Sequence, residues 1–185
     1  MITKTRGNRE KIVFLDRDGV INRRVKGYVA GWEDFEFLPG VLGALKSLKA
    51  GGYTVIVVSN QAGVNKGILS KKALRVLTDH MVKSVRKGGG EISAVYYCPC
   101  RDEDGCSCRK PKPGLLLMAA NDYNINLAGA WLVGDEERDI LAGQAAGCRT
   151  ILVRMSGRMK GGKIKPDFFA EDLKGAVRVI RQNDK

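Results

Sequence analysis

The stretch that decides the fold is Ile12-Val13-Phe14-Leu15-Asp16-Arg17-Asp18-Gly19. Four consecutive apolar residues are too few for a helix and lack the alternation of a strand wetted on one face. They read as a strand buried on both faces, as in a parallel sheet. The run ends directly at two carboxylates and a glycine. The same design recurs downstream, where Thr54 to Val58 (TVIVV) ends at Ser59 and Trp131-Leu132-Val133 runs into Gly134-Asp135.

Helical patterns lie between these runs. Pro39-Gly40 opens a helix with Val41, Leu45 and Leu48 on one face, and Gly51-Gly52 closes it. Ser70 is placed as an N-cap for a helix lined by Leu74, Leu77, Met81 and Val85. Ala94 to Tyr97 reads as a short strand, Leu115 to Asp122 and Glu137 to Ala146 as helices, and Thr150 to Val153 as the last strand. Leu173, Ala176, Val177 and Ile180 share one face of a closing helix. The alternation predicts an α/β fold: one Rossmann-like, doubly wound parallel sheet forming a single domain over residues 1–185. Ligands of such sheets bind beyond the carboxyl ends of the strands, where Asp16, Ser59 and Asp135 all fall.

Composition narrows the class. The 185 residues contain no repeat and no low-complexity tract, and Met1 to Glu10 carry no apolar stretch of a leader. No apolar run approaches the ~20 residues of a membrane span. The expectation is a soluble, cytoplasmic, monomeric protein with no membrane partner. The net charge of +12 fits either a solvated basic surface or attraction to a polyanion, and charge alone does not separate them. The single histidine, His80, lies on the helix after Ser70 and reads as a surface residue, so no histidine-based mechanism is available. The Lys160 to Lys165 segment (KGGKIK) reads as a disordered loop, with an anion-binding lid as the other reading.

Asp16 and Asp18 carry the chemistry. One carboxylate can attack phosphorus while its neighbour protonates the leaving oxygen and then activates water. Adjacent anions repel each other and a phosphate, so a divalent cation is required, and Mg²⁺ suits oxygen ligands and phosphates. Asp135 can supply a further ligand. Ser59-Asn60-Gln61 offers a hydroxyl and backbone N–H groups to phosphoryl oxygens, and Lys110 adds positive charge where negative charge builds up.

The segments FLDRDGVIN, VVSNQAG, CRKPKPG and VGDEERD resemble, in this order, the four signature motifs of the haloacid dehalogenase-like phosphatases. The resemblance runs from about Lys11 to Val153. It implies that Asp16 is the nucleophile, Asp18 the general acid/base, Ser59 the phosphoryl ligand and Lys110 the neutralising cation. It also implies Mg²⁺ on Asp16, the Asp18 carbonyl and Asp135. Val20 stands where the family usually has Thr, which removes one minor hydrogen bond.

Four of the five cysteines, Cys98, Cys100, Cys106 and Cys108, form a cluster that can hold a tetrahedral, structural Zn²⁺ and fix a loop too short for its own core. Cys148, in an apolar setting, reads as a small buried residue. The cluster is similar to that of a zinc-loop branch of the superfamily, which includes D-glycero-D-manno-heptose-1,7-bisphosphate 7-phosphatases and histidinol-phosphate phosphatases; Cys100 stands where those have His. Little chain remains for a cap domain, so the expected site is nearly open.

The segments Gly27-Tyr28-Val29, Phe35 to Gly40 and Lys110 to Gly114 resemble the heptose enzymes, implying a small sugar bisphosphate as substrate and Arg109 as a contact; Asn60 and Gln61 of the Ser59-Asn60-Gln61 segment are expected to contact it as well. Glu136 replaces a basic residue of some heptose enzymes and is given no substrate contact. The alternatives are a histidinol-phosphate phosphatase, a nucleic-acid 3′-phosphatase, and a basic, zinc-containing nucleic-acid-binding module that is not an enzyme. The last fits poorly, because carboxylates facing phosphates serve no binding purpose.

Overall fold

The computed structural model describes residues 11–154 and 164–184. The readings made for Met1 to Glu10 and for most of the Lys160 to Lys165 loop fall outside them.

Strands β1 (Ile12–Leu15), β2 (Thr54–Asn60), β3 (Ala94–Cys98), β4 (Trp131–Gly134), β5 (Arg149–Val153) and β6 (Phe168–Ala170) form one sheet in the order β3-β2-β1-β4-β5-β6. Every pairing is parallel. The helices are α1 (Val41–Ala50), α2 (Lys71–Lys87), α3 (Gly114–Tyr123), α4 (Glu137–Ala145) and α5 (Leu173–Asn183). The strand order reverses at β1, whose neighbours are β2 and β4. A crevice therefore opens past the end of β1, as the topological rule requires.

The pleat divides the apolar residues between two cores. Val13 and Leu15 of β1, Val55 and Val57 of β2, and Trp131 and Val133 of β4 face a layer made by α1, α2 and α5. Ile12, Phe14, Ile56, Val58 and Leu132 face the other layer, with Leu115, Leu116 and Ala119 of α3 and Ala142 of α4. Both faces of the central strands are buried, which explains their unbroken apolar runs. Ser70 caps α2, its hydroxyl accepting from the Ala73 N–H at 3.0 Å. Gly147, at φ +76°, lies in the turn after α4.

Two sequence expectations need correction. Thr150 to Val153 is not the last strand, because β6 adds an edge beyond it. Its apolar run, Phe168-Phe169-Ala170, is only three residues long, too short to declare a strand, and is only partly buried. Strand β2 also continues past Ser59 to Asn60, the two pairing with Tyr97 and Cys98 of β3. Single 3₁₀ turns at Trp32–Asp34 and Leu127–Gly129 were not foreseen. Among the described residues no large cap domain interrupts the connections after β1 or β2. The first is instead a folded loop in which Trp32 stacks on Phe35 at 5.0 Å.

Candidate active site

Asp16 follows β1 directly, and its N–H donates to Val133 O at 3.0 Å, locking the ends of β1 and β4 together. Lys110 Nζ lies 2.8 Å from Asp16 Oδ1, 2.6 Å from Asp139 Oδ1 and 2.9 Å from Val58 O. All three charged side chains are buried. Burial alone would raise the Asp16 carboxyl. The Lys110 charge and hydrogen bond outweigh that, aided by the Arg17 N–H and the Ser59 hydroxyl, and hold it below the ordinary carboxylate range. Burial works against the Lys110 ammonium, but Asp139 and Asp16 push it up to about 12. Asp16 is thus an anion at neutral pH, which a nucleophile needs.

Asp18 sits where the chain turns sharply. The Ile21 and Asn22 N–H groups return to Arg17 O at 2.8 and 3.1 Å, and Gly19 adopts φ +92°. A Cβ at Gly19 would overlap the Asp135 carboxylate, so only glycine lets the two strand ends approach this closely. The Asp18 carboxylate accepts from Arg17 Nη2 at 2.9 and 3.0 Å, Asn22 Nδ2 at 2.8 Å and Gln61 Nε2 at 2.8 Å. Arg17, between the two aspartates, is fully buried, with its guanidinium over the Tyr97 ring at 5.8 Å.

Ser59 is buried at the end of β2 beside Asp16. The Asn60 side chain makes a reciprocal pair with the Lys110 peptide: Nδ2 donates to Lys110 O at 3.0 Å, and Lys110 N donates to Oδ1 at 3.1 Å. Gln61 Nε2 reaches Ser59 Oγ at 3.3 Å as well as Asp18. Expected as substrate contacts, Asn60 and Gln61 commit these side-chain groups to holding Lys110 and Asp18 while lining the pocket.

Asp135 follows β4. Arg24 Nε and Nη2 donate to its two oxygens at 2.6 and 2.9 Å, and Arg24 also pairs with Glu136. Burial, joined by the charges of Asp16 and Asp139, pushes the Asp135 carboxyl up to about 7 despite Arg24. Asp139 closes a capping box on α4, its Oδ2 accepting from the Glu136 N–H at 3.0 Å.

A cavity of about 240 Å³ opens above these groups, lined among others by Asp16, Asp18, Ser59, Lys110, Tyr28 and Arg109. Arg109 Nε donates to Asp102 at 2.6 Å and Nη1 to Cys100 O at 3.0 Å, tying the pocket wall to the cysteine loop. In that loop the Cys98 and Cys108 sulfurs lie 2.8 Å apart, and those of Cys106 and Cys108 3.4 Å apart. The four Sγ atoms lie within 4.8 Å of one another. Burial opposes ionisation of Cys106, but contacts from Cys100, Cys108 and Cys98 bring its thiol down to about 6. Lys112 Nζ donates to the Gly105 and Cys106 carbonyls at 2.6 and 3.0 Å, and a Cβ at Gly114 would overlap the Ser107 carbonyl. The loop is packed tightly onto the start of α3. Cys148 lies apart from it, buried, with its thiol pushed up to about 12 by burial.

The donor sets fit two metals of different character. Oxygens of Asp16, Asp135 and Asp139 lie within 4.8 Å of one another, a hard set suited to Mg²⁺, although Asp139 also serves Lys110 and the helix cap. Four thiol groups on one short loop suit zinc. The structure brings every expected site residue to these two places. Sequence reading gave no role to Asp139, Arg17 or Arg24. Asp139 carried a usable signal, an acidic residue three positions after Glu136 at a helix start. Arg24 carried none, because its partner is 111 residues away.

The HAD-hydrolase-like family model matches residues 107–176. D-glycero-beta-D-manno-heptose-1,7-bisphosphate 7-phosphatase of Helicobacter pylori is 40% identical over 154 residues, spanning 83% of this chain and 88% of that protein. The enzyme of the same name from Pseudomonas putida is 39% identical over 92% of this chain and 99% of its own length. D,D-heptose 1,7-bisphosphate phosphatase of B. bronchiseptica, solved with magnesium and phosphate, superposes with a TM-score of 0.87 at 35% identity, covering 93% of this chain and 98% of that one. The likeness therefore covers most of the chain, and the chain belongs to the haloacid dehalogenase-like phosphatases, a family that includes these heptose-bisphosphate enzymes.

Proposed function

We propose that this phosphatase removes the 7-phosphate of D-glycero-D-manno-heptose 1,7-bisphosphate, with Mg²⁺ as cofactor and a covalent phosphoryl-Asp16 intermediate. The observation that carries the mechanism is the buried Lys110 ammonium 2.8 Å from Asp16 Oδ1. It keeps the carboxylate ionised and oriented. The substrate rests on the names of relatives that match over most of the chain.

In this reading an Asp16 oxygen attacks phosphorus while the bond from phosphorus to the sugar oxygen breaks. Asp18 gives its proton to that oxygen. Asp18 then takes a proton from water, whose oxygen attacks phosphorus, and the bond to Asp16 breaks to release inorganic phosphate. Ser59 and backbone N–H groups hold the phosphoryl oxygens, and Lys110 offsets their charge. Asp16, Asp135 and the Asp18 carbonyl would hold Mg²⁺, which would supply Lewis-acid neutralisation of the negative charge. Zinc on Cys98, Cys100, Cys106 and Cys108 has a structural role, fixing the loop that carries Arg109 and Lys110.

The chain acts as a single-domain cytoplasmic monomer. In support of the monomer, the large exposed apolar side chains among the described residues are Ile68, Val76, Leu117, Met118, Leu141 and Phe169, of which only the neighbours Leu117 and Met118 share an element.

The test is phosphate release with Mg²⁺ from heptose 1,7-bisphosphate, histidinol phosphate and a 3′-phosphorylated oligonucleotide. Preference for the heptose supports the proposal. Preference for either of the others overturns the substrate and keeps the chemistry.

A further inference from the structure

Lys110 serves Asp16 and Asp139, leaving the partly buried Asp135 carboxylate to depend on another cation. That cation is Arg24. Its fork closes on both Asp135 oxygens, at 2.6 and 2.9 Å, and its remaining terminal nitrogen pairs with Glu136. Arg138 holds Glu136 from the other side, so Asp135, Arg24, Glu136 and Arg138 form an alternating chain of charge along one wall. Arg24 and Arg138 both line the cavity over Asp16. The Arg24 side chain is 40% exposed while that of Asp135 is 16% exposed, so the guanidinium covers the carboxylate from the solvent side.

A guanidinium fork and a small divalent cation both seek carboxylate oxygens, and a bidentate hold directs both oxygens toward the arginine. We propose that Arg24 is a positioning residue with two partners: it competes with the divalent cation for Asp135, and once displaced it stays at the cavity wall, tethered by Glu136, to contact the non-reacting anionic group of the substrate. The competition stands on the geometry of Arg24 and Asp135. The substrate contact rests on the proposed bisphosphate activity. Glu136 gains a role here: an acid at this place anchors an arginine delivered from a distant loop.

The test uses the full chain with zinc bound and no substrate. Binding of Mn²⁺, read from the paramagnetic resonance of the free ion, is compared among wild type, Arg24→Gln and Arg24→Lys. Competition predicts Mn²⁺ binding about fivefold tighter in Arg24→Gln, the scale of a partly exposed charged pair. It also predicts tightening in Arg24→Lys, which keeps the charge and loses the fork. Wild-type affinity in Arg24→Gln overturns the competition. Wild-type affinity in Arg24→Lys overturns it too, since net charge alone then accounts for the effect. Circular dichroism melts confirm folding of each variant, and Arg24 lies on a partly exposed loop.

The substrate contact is read from kinetics. Arg24→Gln should raise KM several-fold for heptose 1,7-bisphosphate, with kcat little changed, and leave KM unchanged for the heptose 7-monophosphate. Equal effects on both substrates overturn the contact. A wild-type protein that hydrolyses neither ester while the Mn²⁺ shift holds would sink the proposed function and leave the competition standing. Normal turnover with no shift would do the reverse.

Discussion

Lys110 and Asp139 form a buried ion pair, with Nζ 2.6 Å from Oδ1 and side chains 2% and 1% exposed. The same ammonium reaches Asp16. Asp139 therefore aims the lysine, while its other oxygen holds the start of α4. Lys110 is fixed at its other end by the Asn60 side chain clasping its peptide. One lysine is thus located from two strand ends and a helix start before any phosphate arrives.

Asp139→Asn should lose kcat by about a hundredfold, the scale for one misplaced electrostatic group in a buried site. It should also lower stability by about 3 kcal/mol, as removal of one member of a buried pair does. Steady-state rates and urea unfolding measure the two effects. A variant with wild-type rate would show that Lys110 needs no aiming.

Asn60→Ala removes both bonds to the Lys110 peptide and leaves two polar groups without a partner. The expected loss is about 2 kcal/mol of stability, with a fall in kcat larger than any change in KM. A rise in KM alone would make Asn60 a substrate contact, as its position in the SNQ motif had implied.

The raised Asp135 carboxyl gives a pH signature. Its ordinary value is 3.8 and its folded value about 7 without metal. The folded state thus holds a proton that the unfolded state releases, so this group lowers stability progressively as pH rises from about 4 to about 7. A cation on Asp135 requires the deprotonated form. The increase in melting temperature on adding Mg²⁺ should therefore be larger at pH 8 than at pH 6, and Asp135→Asn should remove most of it. Equal increases at both pH values in the wild type would contradict this.

Much of this was legible in sequence. The buried strands declared themselves through unbroken β-branched runs, and the site residues follow them directly, so strand ends and site were found together. Strand β6 was hidden because Phe168-Phe169-Ala170 is a short, half-exposed edge that, among the described residues, pairs only with β5. Arg17 was hidden for a different reason. A charged residue beside two aspartates reads as solvated, and only the fold supplies the Tyr97 ring and Asp18 carboxylate that permit its burial. Pairings across long stretches of chain, such as Arg24 with Asp135, have no local signature at all.

Cys108→Ser should lose the zinc and loosen the loop that carries Arg109 and Lys110. Elemental analysis should find one zinc per wild-type chain and less than one in the variant. The melting temperature should fall, and KM should rise as Arg109 loses its anchor at Cys100 O. A wild-type protein free of zinc yet equally stable with and without a chelator would remove the metal from the account.

The central claim is that Asp16 carries the phosphoryl group. Acid quenching during turnover of heptose 1,7-bisphosphate with Mg²⁺, followed by mass spectrometry of the tryptic peptide Ile12 to Arg17, tests it directly. The account predicts a phosphoryl adduct on Asp16 in the wild type, with neither adduct nor turnover in Asp16→Asn. Sustained phosphate release by Asp16→Asn would contradict it.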